Sequence, residues 1–271
     1  MILLAEQIRR AERAQALDAA AVVPVLVEVV PGSVASARPW AGGQLVITGP
    51  GLYVNRAVAA GHGQPATEDD FATLEAVSAQ AGVPAEIEVS PWVDDSIIEL
   101  LSRRAYRPVS RRSILIRALG DEDVPVDSPS LDIEVVGDRA ELEDWYRAAL
   151  EGFGTTDAQP RQLLRHWGQA LSQLAQTRLH VAFSGGAAVA VASLSAQDGV
   201  ALFGGMTTVP TARRQGLQQA LVAFRLASAS RLGCDLAIST AEPASSSERN
   251  LGRAGFQIVG TEWNFRLDVS G

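Results

Sequence analysis

The order of apolar and polar positions divides the chain into two series of predicted elements. Apolar residues that recur every three or four positions predict helices, whereas alternation or a short apolar run predicts a strand. The first series comprises a helix at 4–20, a buried strand at 22–30, a loop at 32–43, strands at 45–48 and 52–55 with 57–60 as a continuation, a helix from the capping residue Thr67 to Ala81, a strand at 85–90, a helix at 97–104 and a strand at 113–117.

The second series is richer in turn signals, which set its strand boundaries. Gly185-Gly186 and Asp198-Gly199 are typical two-residue hairpin turns, so they predict a meander of three strands. In order, the series comprises a strand at 131–136, a helix capped by Asp138, a loop at 152–160, a helix with Pro160 in its first turn, strands at 178–184, 187–195 and 200–208, a helix from Leu217, a strand at 235–240, a short helix capped by Ser245 and a strand at 257–267.

The segment between the two series predicts a linker. Residues 120–130 are acidic, contain two prolines and show no periodicity, and these properties are typical of domain boundaries. The sequence therefore predicts a domain at 1–120, a linker at 121–130 and a second domain at 131–271.

Charge and hydropathy narrow the class of protein. The 271 residues carry a formal net charge of −8, which argues against a general nucleic-acid binder and favours cationic partners such as amines. The apolar stretches at 1–5 and 19–30 are too short for a signal h-region or a membrane span. We therefore expect a soluble, cytoplasmic protein that binds neither nucleic acid nor membrane.

The turn from Thr207 to Gln218 is the strongest candidate for binding chemistry. It joins a predicted strand to a predicted helix, and the free N–H groups and dipole of a helix N-terminus favour an anion. Gly216 lets a phosphate approach the backbone, while Arg213 and Arg214 add positive charge. The turn matches neither a P-loop nor the G-x-G-x-x-G of dinucleotide folds. An ordinary turn with surface arginines remains the alternative.

Residues Arg213–Gln218 resemble the Q/R-x-x-G-x-G/A signature of the GNAT N-acetyltransferases. They fit at the first and fourth positions and depart at the sixth, where Gln218 replaces a small residue. The segment Pro243–Phe256 resembles the later family segment in which an Asn, here Asn250, opens a helix near the pantetheine arm. The element order over 131–271 is also that of a GNAT domain. The resemblance implies an α/β fold with a mixed, mostly antiparallel twisted sheet flanked by helices.

The first series resembles a degenerate copy of the second. Leu101–Tyr106 matches Leu251–Phe256 in pattern, and each is followed by a closing strand. The helix that corresponds to the binding turn starts with Glu68, Asp69 and Asp70, which would repel a pyrophosphate. A separate phosphate loop around His62 and Gly63 remains an alternative. The resemblance thus implies two tandem GNAT-like domains of which only the C-terminal one is competent.

The resemblance implies an acetyl-CoA-dependent N-acetyltransferase in which a primary amine attacks the thioester directly within a ternary complex. A backbone N–H of the strand, assigned to Thr208, would stabilise the oxyanion. No metal is expected, because the three histidines are scattered along the chain. The residues expected to hold acetyl-CoA are Met206, Thr207, Thr208, Arg213, Arg214, Gln215, Gly216, Leu217, Gln218 and Asn250.

Proton transfer is where the sequence departs from the family. Many members carry a Tyr acid four residues before the glycine that aligns with Gly255, and here that position is Leu251. Either another group serves as the acid, or coenzyme A leaves as the thiolate. Glu242 is the first candidate for the base, with a solvated loop carboxylate as the alternative. His180 lies on a predicted strand and is more typical of a core histidine.

The loop at 152–160 and its flanking helices are expected to bind the acceptor, a small-molecule or peptide amine. Aromatic walls with a carboxylate suit a cationic amine, so Trp145, Tyr146, Phe153 and Asp157 are the candidates. Trp145 and Tyr146 could instead fill the core. A homodimer is left open. A second function also remains, a non-catalytic acyl-CoA-binding or interaction module.

Overall fold

A computed structural model of the protein describes residues 2–120 and 132–268, which form two compact units. Unit 1 comprises 2–114, 241–243 and 258–268, and unit 2 comprises 115–120, 132–240 and 244–257. The predicted linker at 121–130 lies outside the described residues. Residues 258–268 therefore group with unit 1, although the sequence analysis places them in the segment 131–271.

The described elements follow the predicted order closely. They are α1 (Ile2–Val29), β1 (Ser36–Trp40), β2 (Gly43–Ile47), β3 (Asn55–Val58), α2 (Glu68–Ala81), β4 (Glu86–Val89), α3 (Asp95–Arg103), β5 (Tyr106–Ala118), β6 (Asp132–Val135), α4 (Arg139–Phe153), α5 (Ala158–Ser172), β7 (Thr177–Ser184), β8 (Ala187–Gln197), β9 (Val200–Thr208), a 3₁₀ turn (Pro210–Ala212), α6 (Leu217–Arg231), β10 (Leu236–Ala241), α7 (Ser246–Arg253) and β11 (Gln257–Leu267).

Unit 1 is built on a mixed sheet with the strand order β1-β2-β3-β4-β11-β5. Strand β3 is parallel to β4, while β11 is antiparallel to β4, with Phe265 opposite Ile87. The core lies between this sheet and the helices α2 and α3, where Phe71 packs edge-on against Tyr106. The final strand of the chain thus fills a central place in the sheet of the N-terminal unit.

Unit 2 is built on the meander that the turn signals predict. Strands β6, β7, β8 and β9 pair antiparallel in sequence, and β10 pairs parallel with β9. Helix α4 packs on β8 and β9, and its residues Trp145 and Ala149 are buried in the core. The capping box predicted for Asp138 and Glu141 is present at the start of this helix, as is that of Thr67 and Asp70 in unit 1.

The prediction of a strand at 22–30 is wrong, because α1 continues to Val29. Val22 and Leu26 are buried while Val27 is 53% exposed, which is the spacing of a helix face rather than strand alternation. Pro24 lies within this helix, where it cannot donate a backbone hydrogen bond. A short apolar run does not by itself distinguish a buried strand from a buried helix segment.

Two local assignments in unit 1 also change. The loop predicted at 32–43 contains the edge strand β1, where Pro39 is tolerated because an edge strand leaves backbone groups unpaired. The strand predicted at 52–55 is a turn up to Val54. There the Asn55 side chain accepts hydrogen bonds from the backbone of Thr48 and Gly49 and closes the loop.

Helix length and apolarity do not support a membrane span: over 2–120 and 132–268, no helix is both long and apolar enough to cross a bilayer.

Candidate functional site

A bulge in β9 starts the candidate site. Val191 of β8 pairs with Thr207 and Ser193 pairs with Gly204, so two steps along β8 correspond to three along β9. The extra residue is accommodated at Gly205, whose φ of +52° is a left-handed conformation that glycine tolerates. The bulge bends β9 just before the predicted binding residues Met206–Thr208.

Strand β9 also stops pairing with its other neighbour, β10, before this point. The parallel pairing of β9 with β10 covers Val200–Leu202 only, although both strands continue. The next carbonyl, that of Phe203, accepts a hydrogen bond from the Ser239 side chain at 3.2 Å instead of a backbone group. Beyond it, β9 presents an open backbone edge.

Alternation of the backbone shows which groups line that edge. Val209 donates its N–H to Val189 of the neighbouring strand at 2.9 Å. Successive residues of a strand point their backbone groups in opposite directions, so the N–H and carbonyl of Thr208 point away from β8. The Thr208 carbonyl indeed accepts a hydrogen bond from Arg213 at 3.2 Å. The Thr208 N–H predicted as an oxyanion donor therefore faces the open edge.

The helix that follows starts at the predicted glycine. Gly216 is the N-terminal capping residue of α6, with a φ of +78°, and no side chain caps this terminus. The preceding Arg214 also adopts a positive φ of 66°, which is uncommon outside glycine. A Cβ built on Gly216 meets no atom within 4 Å. The N–H groups of the first helical turn are thus accessible to an anion.

A cavity of about 590 Å³ lies between the open edge of β9, the start of α6 and helix α7, entirely within unit 2. Nine of the ten residues predicted to hold acetyl-CoA line it. The exception is Gln215, whose amide donates to the Thr211 carbonyl. The lining residues are Met206, Thr207, Thr208, Ala212, Arg213, Arg214, Gly216, Leu217, Gln218, Gln219, Ser246, Asn250 and Arg253.

The two arginines of the turn play different parts. The Arg213 side chain is held by hydrogen bonds within unit 2, because it donates to the Thr208 carbonyl and, at 3.0 Å, to the carbonyl of Gly152 near the end of α4. Arg214 is exposed and has no hydrogen bond or ion pair within the described residues. Arg214 is therefore the cation of this turn that is available to a ligand.

Helix α7 adds a chain of polar side chains to the cavity. The Asn250 amide donates to the side-chain oxygen of Gln218, and Arg253 donates to the Asn250 oxygen at 3.0 Å. Sequence reasoning missed Ser246 and Arg253, although their spacing of four before and three after Asn250 places all three on one face of the helix. Arg253 thereby brings a third arginine to the cavity, in addition to Arg213 and Arg214.

The predicted base, Glu242, does not line this cavity, and neither Leu251 nor the predicted core histidine His180 lines it. Glu242 is exposed, directly follows β10 and is not among the lining residues. Leu251, which stands where the family carries a phenol, is 1% exposed. His180 is fully buried, and burial, together with the positive charges of Arg225 and Arg178, lowers its pKa to about 3. The imidazole is therefore neutral and remote from solvent.

Two of the four predicted acceptor residues are buried. Trp145 donates to the Ala192 carbonyl, and Tyr146 donates to the Arg165 carbonyl at 2.7 Å. Burial raises the pKa of Tyr146 to about 12. Phe153 is 49% exposed, and Asp157 is an exposed residue at the start of α5. Only these last two are open to an acceptor.

The corresponding turn of unit 1 has the opposite charge. Helix α2 begins with Glu68, whose carboxylate pairs with Arg103 and Arg104, and its terminus is closed by the Thr67 capping box. A cavity of about 510 Å³ lies nearby and includes His62 among its lining residues. No group of three potential metal ligands occurs in either unit over the described ranges.

Comparison of the structure with solved proteins identifies similar folds. A GCN5-related N-acetyltransferase from Kribbella flavida matches with a TM-score of 0.66 and 23% identity, over 94% of this chain and 96% of that one. A tandem GNAT protein from the clavulanic acid biosynthesis pathway matches with a TM-score of 0.61 and 13% identity, over 98% and 95%. A GCN5-related N-acetyltransferase from Sphaerobacter thermophilus matches with a TM-score of 0.54 and 18% identity, over 71% and 64%.

Neither the family models nor the curated proteins include a match to the sequence. The structural similarities extend over nearly the whole chain. They confirm the predicted fold class, two tandem GNAT-like domains.

Proposed function

Because the chain has the tandem GNAT fold, we propose that it is an acetyl-CoA-dependent N-acetyltransferase whose C-terminal unit is active. One observation carries the proposal: the open edge of β9 and the uncapped start of α6 border a single cavity. An extended pantetheine arm can pair with a free strand edge in the manner of an added strand. A pyrophosphate suits a helix N-terminus that carries a free arginine.

The acceptor in this proposal is a primary amine of a small molecule or peptide. Its nitrogen attacks the thioester carbonyl, a C–N bond forms and the C–S bond breaks. The developing negative charge on the carbonyl oxygen is stabilised by the Thr208 N–H, which faces the open edge. The ammonium group of the acceptor first gives one proton to Glu242, the proposed base, so that the free amine attacks, and the nitrogen releases a second proton to solvent as the amide forms. Coenzyme A leaves as the thiolate, since Leu251 offers no proton.

Different residues of unit 2 bind different parts of acetyl-CoA in this proposal. Met206 and Thr208 present backbone groups to the pantetheine, the backbone N–H groups of Gly216 to Gln218 and the Arg214 side chain hold the pyrophosphate, and Asn250 contacts the arm from α7. Phe153 and Asp157 remain the proposed contacts for the amine. Unit 1 takes no part in binding acetyl-CoA, because carboxylates occupy the start of α2.

A non-catalytic acyl-CoA-binding module is the second candidate, and the absence of a phenol at Leu251 favours it. One experiment separates the two. Calorimetry measures acetyl-CoA binding, and a thiol-reactive dye measures coenzyme A released in the presence of a panel of primary amines. Binding with amine-dependent thiol release supports the enzyme. Binding without release for every amine supports the module, and no binding refutes both.

A further inference from the structure

Arg225 is a buried cation that the proposed chemistry does not use. Arg225 lies in the middle of α6 and is 1% exposed. Burial lowers the pKa of its guanidinium to about 9. Within the described residues no carboxylate pairs with it. Burying an unpaired charge is costly unless hydrogen bonds compensate. The hydrogen bonds of Arg225 therefore indicate its role in the structure.

All the acceptors of the guanidinium are neutral, and most belong to the bulge. Nη1 donates to the Ser193 carbonyl at 3.0 Å and to the Gly204 carbonyl at 3.3 Å. Nη2 lies 3.1 Å from the sulfur of Met206, and Nε donates to the Leu221 carbonyl one turn earlier. The guanidinium carbon lies 4.4 Å from the centroid of the Phe203 ring, which is within cation–π distance.

These contacts replace backbone hydrogen bonds that the bulge removes from the sheet. Ser193 and Gly204 are the last pair before the register changes, and a bulge disrupts the local backbone hydrogen bonds. The planar guanidinium reaches one carbonyl on each strand and the side chain of Met206 at the same time. A lysine offers a single ammonium and lacks this fixed fork.

The neighbouring residues Gly204 and Gly205 contribute no side chains to this geometry. A Cβ on Gly204 would lie 3.0 Å from the Ser193 hydroxyl, and one on Gly205 would lie 3.2 Å from it. The backbone here is therefore close-packed and has no side chains of its own. Met206, which Arg225 contacts directly, is also the first residue of β9 that lines the cavity.

We propose that Arg225 is a positioning residue for acyl-CoA: it holds the bulge at Gly204–Met206 in the form that turns the open edge of β9 toward the cavity. The inference rests on the proposed function, in which Met206 and Thr208 bind the pantetheine. Arg225 does not touch the ligand and acts through the strand.

The test compares Arg225→Met, which keeps the apolar length of the side chain, with Arg225→Lys, which keeps the charge. Arg231→Met is the matched control, because Arg231 is exposed in the last turn of the same helix. Calorimetry measures acetyl-CoA affinity, and hydrogen exchange measures protection of the amides at 204–206. We expect Arg225→Met to lose about tenfold or more in affinity and to exchange faster at these amides. Arg225→Lys should fall between it and the wild type.

Each outcome decides a different question. A folded Arg225→Met with wild-type affinity and exchange would show that Arg225 only fills space. If that variant does not fold, Arg225→Lys decides, and a lysine variant of lower melting temperature but unchanged affinity would equally overturn the inference. A wild-type protein that binds no acetyl-CoA refutes the proposed function, while faster exchange in Arg225→Met would still show that Arg225 holds the bulge.

Discussion

The side-chain amide of Asn250 donates a hydrogen bond to the side-chain oxygen of Gln218, and the two residues come from different helices that line one cavity. Gln218 occupies the position at which the GNAT signature has a small residue. The residue that departs from the signature thus engages the residue expected to contact the pantetheine arm.

Gln218→Ala should therefore bind acetyl-CoA more tightly, by about threefold to tenfold, because Asn250 no longer gives its amide to Gln218. Competition calorimetry with coenzyme A and acetyl-CoA measures the change. Gln215→Ala is the control and should have little effect, because Gln215 is exposed and does not line the cavity. Weaker binding by Gln218→Ala would mean that Gln218 itself contacts the ligand.

Gly216→Glu should abolish acetyl-CoA binding, because its carboxylate would lie where the phosphate oxygens are proposed to bind. Gly216→Ala separates charge from backbone strain. Its Cβ points into open space, so the cost is limited to the backbone strain of the φ of +78°, about 1–2 kcal/mol. The alanine variant should therefore keep most of its affinity by calorimetry. Unchanged binding by the glutamate variant would exclude this helix start as the phosphate site.

Glu242→Gln tests the proposed base with little change in shape. Turnover should fall by about 10²-fold, while acetyl-CoA affinity stays the same. In the wild type, kcat/KM should rise with pH until the free amine predominates. Glu99→Gln, at an exposed carboxylate of α3, is the control. Near-normal turnover of Glu242→Gln at every pH would show that Glu242 is only a solvated loop residue.

Glu262 should make the stability of unit 1 depend on pH. Burial and the nearby charge of Glu88 raise its pKa to about 9, against the opposing effect of Arg112. Because the folded pKa exceeds the unfolded one, the protonated form is favoured on folding. The contribution of Glu262 to stability is therefore full below about pH 4.5 and is lost as the pH rises toward 9.

Glu262→Gln removes this ionisation and keeps the side-chain shape. At pH 8 its free energy of unfolding should exceed that of the wild type by about 1–3 kcal/mol. Denaturant titrations at pH 5 and pH 8 measure the difference, which should be smaller at pH 5. An equal or lower stability of the variant at pH 8 would contradict the raised pKa.

Removing residues 258–271 should unfold unit 1, since β11 lies between β4 and β5 in its sheet. Phe265 and Leu267 would also be lost from its core. Limited proteolysis should then cut within 2–114, while 132–257 stays protected. A control that ends at Asp268 keeps β11 and should be cut no faster than the full chain. Protection of 2–114 in the shorter variant would refute the prediction.

Local signals predicted the parts of the fold that depend on neighbouring residues. The hairpin turns at 185–186 and 198–199 set the meander, and the capping residues Thr67 and Asp138 mark where their helices begin. The glycine turn likewise predicted most of the cavity lining, because its residues are contiguous in the sequence.

Features that depend on distant contacts were not predictable in this way. The run at 22–30 is apolar in either conformation, and only packing shows that it is helical. From sequence alone, Arg225 would be predicted to be an exposed helix residue, because nothing near it in sequence indicates that it is buried against β8 and β9. The place of β11 in unit 1 is set by strand pairing across more than a hundred residues.

The place of β11 also bears on how the protein is made. Residues 258–268 leave the ribosome after all the residues of unit 2, yet they complete the sheet of unit 1. At about 5–20 residues per second, synthesis of residues 115–257 takes about 7–30 seconds, during which the flank of β4 stays unpaired. The N-terminal unit is therefore the last to finish folding during synthesis, and a stalled or shortened message leaves it with an exposed strand edge that favours aggregation.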